Sequence, residues 1–330
     1  MQVNEATLSY MKKGQLQVIS GRAHPRLAKE VANLLDTKLH PVELSNFANG
    51  EVRCHLGESV RGHDVFVLQT HAGPNINEAM MEQAIIVDAA KRASARSISA
   101  VCPFLGYARQ DRKGSGREPI TARLVVDILA AAGADRIMSV DLHAGQIQGF
   151  FDGPFDHMIA RPVIVKYIKE NYDTTNMVIV SPDAGRVKST ERYASQLACD
   201  IAIIHKHRQS ATQKTEAKYL IGDVKGKMCL IVDDMIDTGG TIVAAADILK
   251  EHGAKKIFGV TTHGVFSGSA LERIEKSSFD KVIATDTLPL PKQKSKKIVT
   301  LSVAPLISDA IRAVYEGESL SALFDGMNQF

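Results

Sequence analysis

Two stretches of this chain repeat each other at a fixed spacing of 120 residues, and this repeat limits the folds open to it. In each stretch a helix-like pattern ends at a glycine, an apolar run follows, and a histidine comes shortly after that run. The matched pairs are Thr121 and Thr241, Asp127 and Asp247, Ile128 and Ile248, Leu129 and Leu249, Gly133 and Gly253, Ala134 and Ala254, Ile137 and Ile257, Val140 and Val260, and His143 and His263. A helix-and-strand unit that occurs twice indicates an α/β protein built by internal duplication.

Apolar, β-branched runs alternate with helical patterns from residue 16 onward. The sequence predicts further strands at residues 64–69, 97–102, 136–140, 177–180, 201–204, 228–232, 256–260 and 281–284, and helices at 77–93, 120–132 and 186–197. Helices that cross from one strand to the next favour mainly parallel sheets. Gly and Pro interrupt the pattern near residue 150, so we expect domains at residues 1–157 and 158–303. The terminal segment 304–330 is expected to pack on the first domain.

The composition is typical of a globular protein, with 45% hydrophobic and 23% charged residues. A net charge of +3 is too small to indicate nucleic-acid binding. No apolar run is long enough to span a membrane and the N-terminus lacks a signal-peptide pattern, so we expect a cytoplasmic protein. The cysteines at 54, 102, 199 and 229 lack metal-site spacing, which favours buried thiols.

Residues 233–241, with the sequence DDMIDTGGT, have the clearest chemical character. Two acids end an apolar run, a Gly-Gly turn flanked by threonines follows, and an alanine-rich helical pattern begins next. Amides at such a turn and helix N-terminus can bind a phosphate, while the acids suit ribose hydroxyls or a cation-bound sugar. The spacing matches neither a Walker A loop nor a Rossmann loop. We interpret it as a sugar-phosphate site; an ordinary turn capped by Asp237 or Thr238 is the alternative.

Four other stretches place charged or titratable residues at the ends of predicted strands. They are YARQDRK at 107–113, SVDLH ending at His143, SPDAGR containing Asp183, and HKHR at 205–208. Each also has a purely structural interpretation. In the same order, these are a solvated basic loop, a structural histidine, a helix N-cap and a charged strand edge. Ligands bind open parallel sheets at the carboxyl ends of the strands. Cations, acids and a histidine at that edge favour phosphoryl chemistry.

These motifs together resemble the ribose-phosphate pyrophosphokinase family over nearly the whole chain. The likeness runs through SGRAHPRLA, FANGE, ESVRG, YARQDRK, REPITARL, DLHAGQIQGFFDGP, SPDAGR, HKHR, VDDMIDTGGT and THGVFSG. It implies two tandem type I phosphoribosyltransferase-like domains, in line with the repeat, and assembly into a homohexamer. The implied reaction transfers the pyrophosphoryl group of ATP to the 1-hydroxyl of ribose 5-phosphate, gives AMP, and supplies nucleotide, His, Trp and NAD biosynthesis.

The resemblance also implies a set of site residues. ATP would be bound by Phe47, Asn49, Gly50 and Glu51 from a neighbouring subunit, and by Arg109 and Gln110. Mg²⁺ would be held by His143 and Asp183, and Lys206 and Arg208 would be catalytic. Ribose 5-phosphate would be bound by Arg208, Asp233, Asp237, Thr238, Gly239, Gly240 and Thr241.

The chain departs from the family pattern after YARQDRK. Members of the mammalian type carry a charged run and a serine there that help bind regulatory ADP or phosphate, whereas this chain has GSGRE, with Gly116 in the middle. ADP and phosphate are therefore candidate effectors at a segment that differs from the pattern.

Two other functions remain as alternatives. One is a non-catalytic regulatory subunit of the same fold; the intact DDMIDTGGT, His143 and Lys206 argue against it. The other is a phosphoribosyltransferase that consumes the activated sugar, which would need neither YARQDRK nor FANGE.

Overall fold

The computed structural model describes residues 14–73, 75–207, 217–291 and 295–324, without the side chains of 206, 207, 217 and 218. The chain divides into two compact units. The first contains the described residues up to Ile159, Thr287–Pro289 and those from Val303 onward; the second contains Ala160–Asp286 and Leu290–Ser302. Within the described residues, every helix is too short or too polar to cross a membrane.

The first unit is built on a five-stranded sheet in the order β1-β4-β5-β6-β7. All four strand pairs are parallel. The strands are β1 (Leu16–Ser20), β4 (Asp64–Leu68), β5 (Ser97–Cys102), β6 (Arg136–Val140) and β7 (Phe155–Met158). Strand β4 is buried at every position, as expected for an interior strand of a sheet covered on both faces.

Four helices flank this sheet: α1 (Pro25–Leu34), α2 (Ile76–Arg92), α3 (Thr121–Ala132) and α8 (Ala304–Glu316). Helix α1 begins with a proline, and the side chain of His24 accepts a hydrogen bond from the amide of Leu27. Helix α8 packs against α1, and Arg312 Nη2 donates to the carbonyl of Leu34 at 2.7 Å. The C-terminal helix is thus part of the first unit.

A β-hairpin of β2 (Val42–Asn46) and β3 (Val52–Leu56) forms a separate two-stranded antiparallel sheet in this unit. Strand β3 contacts α2. The sequence analysis did not predict this hairpin.

The second unit contains a seven-stranded sheet in the order β10-β9-β8-β11-β12-β13-β14. The strands are β8 (Met177–Ser181), β9 (Asp200–His207), β10 (Ala217–Ile221), β11 (Met228–Ile236), β12 (Lys256–Gly264), β13 (Lys281–Thr285) and β14 (Ile298–Leu301). Only β10 and β9 pair in the antiparallel sense within this sheet as described. Its helices are α4 (Arg161–Asn171), α5 (Val187–Leu197), α6 (Gly240–Glu251) and α7 (Ala270–Lys276).

The two units share most of their sheet order, in agreement with the predicted duplication. The run β4-β5-β6-β7 corresponds to β8-β11-β12-β13, but β1 precedes β4 in the chain whereas β9, in the equivalent place, follows β8. Helices α3 and α6 precede equivalent strands, and glycines with positive φ follow them, 116° at Gly133 and 82° at Gly253. Both sheets are mainly parallel, as predicted.

Two local predictions need correction. Asp233 and Asp234 lie within β11 rather than after its end, because β11 continues to pair with β12 as far as Ile236. The pattern SVDLH also predicts that Asp141 and His143, two residues apart on one strand, point to the same side, but β6 ends at Val140 and Asp141 has a φ of 37°, so this prediction is wrong.

Candidate active site

The second unit carries the diacid loop, defined as residues 233–241. Strand β8 pairs with β11 only as far as Ile231, so Asp233 and Asp234 lie on a part of β11 that pairs with β12 alone. The chain then turns at Gly239, whose φ of 75° favours glycine, and α6 begins at Gly240. The loop therefore combines two strand carboxylates with a helix N-terminus, whose first amides have no partner inside the helix.

The loop is held in place through its carbonyl groups. The amides of Phe266 and Ser267 donate to the carbonyls of Ile236 and Asp237, both at 3.0 Å. Arg273 Nη1 donates to the carbonyl of Thr238 at 2.9 Å. These bonds fix the backbone from outside the loop. The arrangement suits binding of a phosphate at the N-terminus of α6.

Arg186 forms an ion pair with each of the two strand acids, Asp233 and Asp234. Its Nε lies 3.1 Å from Asp233 Oδ1, and its Nη2 lies 2.6 Å from Asp234 Oδ1. Burial, followed by the negative charge of Asp234, raises the pKa of Asp233, and the nearby guanidinium opposes that rise. The motifs of the sequence indicate no role for this arginine, although a cation three residues after Asp183 could have suggested one.

Asp183 is placed at the end of β8, as predicted. Its Oδ1 accepts a hydrogen bond from the amide of Gly185 at 2.8 Å, and this caps the 3-10 turn Ala184–Arg186. Ser181 Oγ donates to the carbonyl of Asp183 at 2.6 Å. The capping role left open by the sequence is therefore present; the role of Asp183 in metal binding stays a prediction.

Lys206 lies on β9, where its backbone pairs with Lys218 of the antiparallel strand β10. Its side chain, the whole of Arg208 and the polar segment 209–216 lie outside the described residues. The catalytic roles of Lys206 and Arg208 stay predictions.

In the first unit, His143 is half-buried just beyond the end of β6. The preceding turn is anchored to β7: the amide of Asp141 donates to the carbonyl of Met158 at 2.8 Å, and the amide of Leu142 donates to His157 Nε2 at 3.1 Å. Hydrogen bonds to the neighbouring strand β7 thus hold the backbone directly before His143 in place.

The turn of the β2–β3 hairpin, residues 47–51, carries four of the predicted ATP-binding residues. Two backbone bonds of 2.8 Å close it, from Phe47 to Glu51 and from Gly50 to Phe47. The φ of Gly50 is 93°, and the Phe47 side chain is 55% exposed. Asn46 Nδ2 donates to Glu78 Oε1 of α2 at 2.9 Å, which anchors the base of the turn. An exposed, anchored aromatic ring can stack on a nucleotide base.

The other two predicted ATP-binding residues are exposed in the segment that links β5 to α3. The amide of Gln110 donates to the carbonyl of Tyr107 at 2.8 Å, and Thr121 Oγ1 donates to Gln110 Oε1 at 2.6 Å. Tyr107 has a φ of 61° and its hydroxyl donates to Asn77 Oδ1 at 2.5 Å. These bonds tie the backbone beside Arg109 to α2 and α3.

A buried polar network that no sequence pattern indicates underlies this segment. The amide of Gly106 donates to His71 Nδ1 at 3.0 Å, and His71 Nε2 lies 2.8 Å from Gln83 Oε1. Since Nδ1 accepts, Nε2 carries the proton and donates to Gln83. Burial lowers the pKa of His71 to about 4, so the ring is neutral at pH 7.

The segment GSGRE is closed by its own acid. Glu118 accepts hydrogen bonds from the amides of Gly114 and Ser115, at 2.8 and 3.0 Å, and from Ser115 Oγ at 2.7 Å. The bond from the Ser115 hydroxyl, with the two amides, lowers the pKa of Glu118. The carboxylate of Glu118 thus accepts hydrogen bonds from two amides of this turn.

Similarity to known proteins extends over nearly the whole chain. Residues 16–133 match the family described as the N-terminal domain of ribose phosphate pyrophosphokinase, and residues 210–325 match the phosphoribosyl synthetase-associated domain. The ribose-phosphate pyrophosphokinase of Bifidobacterium longum is 52% identical over 315 residues, covering 94% of this chain and 92% of that protein. That of Streptomyces avermitilis is 50% identical over 313 residues, covering 94% and 96%.

A solved structure is similar over the same extent. The crystal structure of phosphoribosylpyrophosphate synthetase from Mycobacterium smegmatis matches with a TM-score of 0.87 and 50% identity, covering 92% of this chain and 99% of that one. Identity at this level over nearly the full length of both proteins leaves one assignment: the chain belongs to the ribose-phosphate pyrophosphokinase family.

Proposed function

We propose that this protein transfers the pyrophosphoryl group of ATP to the 1-hydroxyl of ribose 5-phosphate, giving 5-phosphoribosyl 1-pyrophosphate and AMP. The observation that carries the proposal is the diacid loop, with paired carboxylates on β11, a left-handed glycine at 239 and the N-terminus of α6. The chemistry of this loop suits a sugar that bears both hydroxyls and a phosphate. The names of the relatives support the same activity.

The acceptor binds, in this proposal, at the diacid loop of the second unit. Asp233 accepts hydrogen bonds from the ribose hydroxyls. The 5-phosphate is bound by the remaining loop residues and by Arg208, the loop residues being Asp237, Thr238, Gly239, Gly240 and Thr241. The dipole of α6 favours this dianionic group.

The donor binds, in this proposal, at residues of the first unit. Phe47, Asn49, Gly50 and Glu51 of one subunit, with Arg109 and Gln110, hold ATP. The exposed ring of Phe47 and the exposed cation of Arg109 support these roles, since the base offers a flat face and the triphosphate offers anionic oxygens. We propose that the turn 47–51 serves a neighbouring subunit of a homohexamer.

The chemical step balances as a substitution at phosphorus. The 1-hydroxyl oxygen attacks the β-phosphorus of ATP, and the bond from that phosphorus to the α,β-bridging oxygen breaks. AMP leaves with that oxygen, and the hydroxyl proton passes to solvent. Lys206 and Arg208 supply positive charge to the transferring group, an effect that typically amounts to several orders of magnitude in rate.

Mg²⁺ is the proposed metal. Among the side chains that the structure describes, no group of three or more His, Cys, Asp or Glu is arranged to hold a metal ion. Mg²⁺ keeps several waters and binds through one or two protein groups together with substrate phosphates, so a pair of protein ligands is sufficient for it. We propose His143 and Asp183 as those groups; when bound, the ion neutralises phosphate charge.

The setting and regulation of the reaction complete the proposal. We place the enzyme in the cytoplasm, where reduced thiols are the rule; burial raises the pKa of Cys102 and Cys229 to about 12 each. ADP and phosphate are proposed effectors, acting near residues 114–118. There Glu118 already occupies two amides, so an anion must compete with it.

The test is incubation of the protein with ATP, Mg²⁺ and ribose 5-phosphate, with chromatographic detection of products. We expect AMP and a pyrophosphorylated sugar in equal amounts. Replacement of Lys206 by Ala should lower turnover by about a hundredfold or more while the KM for ribose 5-phosphate changes little. Lys169→Ala, at an exposed position of α4, is the matched control and should leave turnover unchanged. Absence of AMP would refute the proposed function.

A further inference from the structure

Arg186 stands at a fixed point in the second unit, at the end of the 3-10 turn Ala184–Arg186 and directly before α5. Its amide donates to the carbonyl of Asp183 at 3.4 Å, and its carbonyl accepts from Thr190 Oγ1 at 3.0 Å. Thr190 is fully buried. The backbone of Arg186 is therefore held from both sides, and its side chain is only 24% exposed.

The guanidinium contacts two acids that follow one another in β11. Consecutive strand residues point to opposite faces of a sheet, so a cation lying over one face would reach only one of them. Strand β8 stops pairing with β11 at Ile231, which opens this edge of β11 before Asp233. Arg186 comes from the turn that follows β8, and its Nε and Nη2 reach Asp233 and Asp234 at 3.1 and 2.6 Å.

Asp233 and Asp234 repel each other, and the positive charge of Arg186 offsets that repulsion. The side chains of Asp233 and Asp234 are 18% and 13% exposed, so water screens their mutual repulsion weakly. With both carboxyls ionised, a phosphorylated sugar, itself an anion, would meet a formal charge of about −2 at this pair, and burial together with the same repulsion raises the pKa of Asp233. The guanidinium, which stays protonated in proteins, brings that charge to about −1.

We propose that Arg186 is a positioning residue for the acceptor sugar: it holds Asp233 and Asp234 in one orientation and reduces the negative charge that the sugar phosphate meets. The inference rests on the proposed function, because it names a residue that prepares the ribose 5-phosphate site. Arg186 acts through the two carboxylates and has no assigned contact with substrate.

Steady-state kinetics with each substrate varied separately test the proposal. Arg186→Ala should raise the KM for ribose 5-phosphate about tenfold or more, because loss of the guanidinium leaves the repulsion between two half-buried carboxylates without its offsetting charge, and the KM for ATP should change less than about twofold. Arg186→Lys should fall between Ala and wild type, since lysine keeps the charge but cannot fork. Arg123→Ala removes an exposed Arg–Asp pair on α3 and is the matched control, with unchanged constants.

A double-mutant cycle separates charge from structural support. If Arg186 acts by offsetting charge, adding D234N to R186A should recover ribose 5-phosphate binding by about threefold or more relative to R186A. Calorimetric titration of ribose 5-phosphate into each protein measures this without turnover. If R186A does not fold, the cycle is made with R186K, D234N and the R186K, D234N double variant. Adding D234N to R186K should then also increase the affinity for ribose 5-phosphate relative to R186K alone.

Several results would overturn the inference. They are an unchanged KM for ribose 5-phosphate in R186A, equal losses for both substrates, R186K no better than R186A, or additive effects in the cycle. Failure of the proposed function looks different: the wild type would then make no AMP, whatever the calorimetry of Arg186 variants shows.

Discussion

At the scale of single residues, His71 is the clearest case of a group whose chemistry is set by its surroundings. It is fully buried, its Nδ1 accepts from the amide of Gly106, and its Nε2 lies against Gln83. Protonating Nδ1 would break the bond to Gly106 and put a charge in the core. This explains the low pKa and predicts a pH-dependent loss of stability.

The pKa of His71 falls from 6.5 to about 4 on folding, so the neutral ring contributes stability that is fully present above pH 6.5. That contribution is lost as pH falls from 6.5 toward 4, at about 1.4 kcal/mol per pH unit and about 3 kcal/mol in all. We expect His71→Asn, whose amide oxygen can still accept from Gly106, to remove this part of the slope. Urea unfolding at pH 7, 6 and 5 measures it.

The control for His71 is His55→Asn, at an exposed position of β3. It should keep the wild-type slope of stability against pH. If H71N and wild type lose stability in parallel below pH 6.5, His71 does not carry the effect.

The site residues also show what a sequence can indicate at this scale. The order of Asp233, Asp237 and the Gly-Gly turn predicted a strand, loop and helix because all its determinants are local. The ion pairs of Arg186 were not predictable in the same way. They depend on where β8 stops pairing with β11, which is a tertiary fact about residues far apart in the chain.

At the scale of elements, helix α3 ends at a glycine that the backbone requires. Gly133 has a φ of 116°, and a Cβ built there would lie 2.4 Å from Cδ of Lys91, a side chain that can move. Its amide donates to the carbonyls of Leu129 and Ala130, which closes the last turn. The left-handed backbone at Gly133, rather than the contact with Lys91, should therefore determine how much a substitution destabilises the protein.

Replacing Gly133 by Ala should therefore destabilise the protein by about 1–2 kcal/mol, the cost of a left-handed conformation for a residue with a Cβ. Gly116→Ala is the control, because no atom lies within 4 Å of its Cβ position and its φ is not positive. It should stay within about 0.5 kcal/mol of wild type. Equal midpoints for the two variants in urea unfolding would show that the helix end does not need glycine.

The elements differ in how well the sequence predicts them. The central strands and α3 were predicted closely, because each has an apolar run or helical period of its own. Strand β7 was missed since its four residues lie among Gly and Pro, and its pairing depends on β6. Strands β10 and β14 were also missed, because both lie at sheet edges and their sequences have no regular alternation of apolar and polar residues.

At the scale of the whole molecule, we propose a homohexamer in which the turn 47–51 of one subunit completes the donor site of another. Two inactive variants should then complement each other. One would carry Phe47→Ala with Glu51→Ala in the turn, and the other Asp233→Asn in the diacid loop.

Subunits of the two variants, dissociated and reassembled together in equal amounts, should recover roughly a quarter of wild-type activity, because a random site takes an intact part from each partner with even odds. Each variant reassembled alone is the control and should remain inactive. Mixed assemblies of hexameric size that stay inactive would place both parts of each site in a single subunit. Sedimentation of the mixture measures the size.

We propose that the 1-hydroxyl oxygen of ribose 5-phosphate attacks the β-phosphorus of ATP, and an isotope label on that oxygen tests this step directly. Ribose 5-phosphate labelled with ¹⁸O at the 1-hydroxyl is incubated with the protein, ATP and Mg²⁺, and the products are read by ³¹P NMR. We expect unlabelled AMP and a product whose label bridges C1 and the adjacent phosphorus of the pyrophosphate. Label in AMP, or ADP formed in place of AMP, would contradict it.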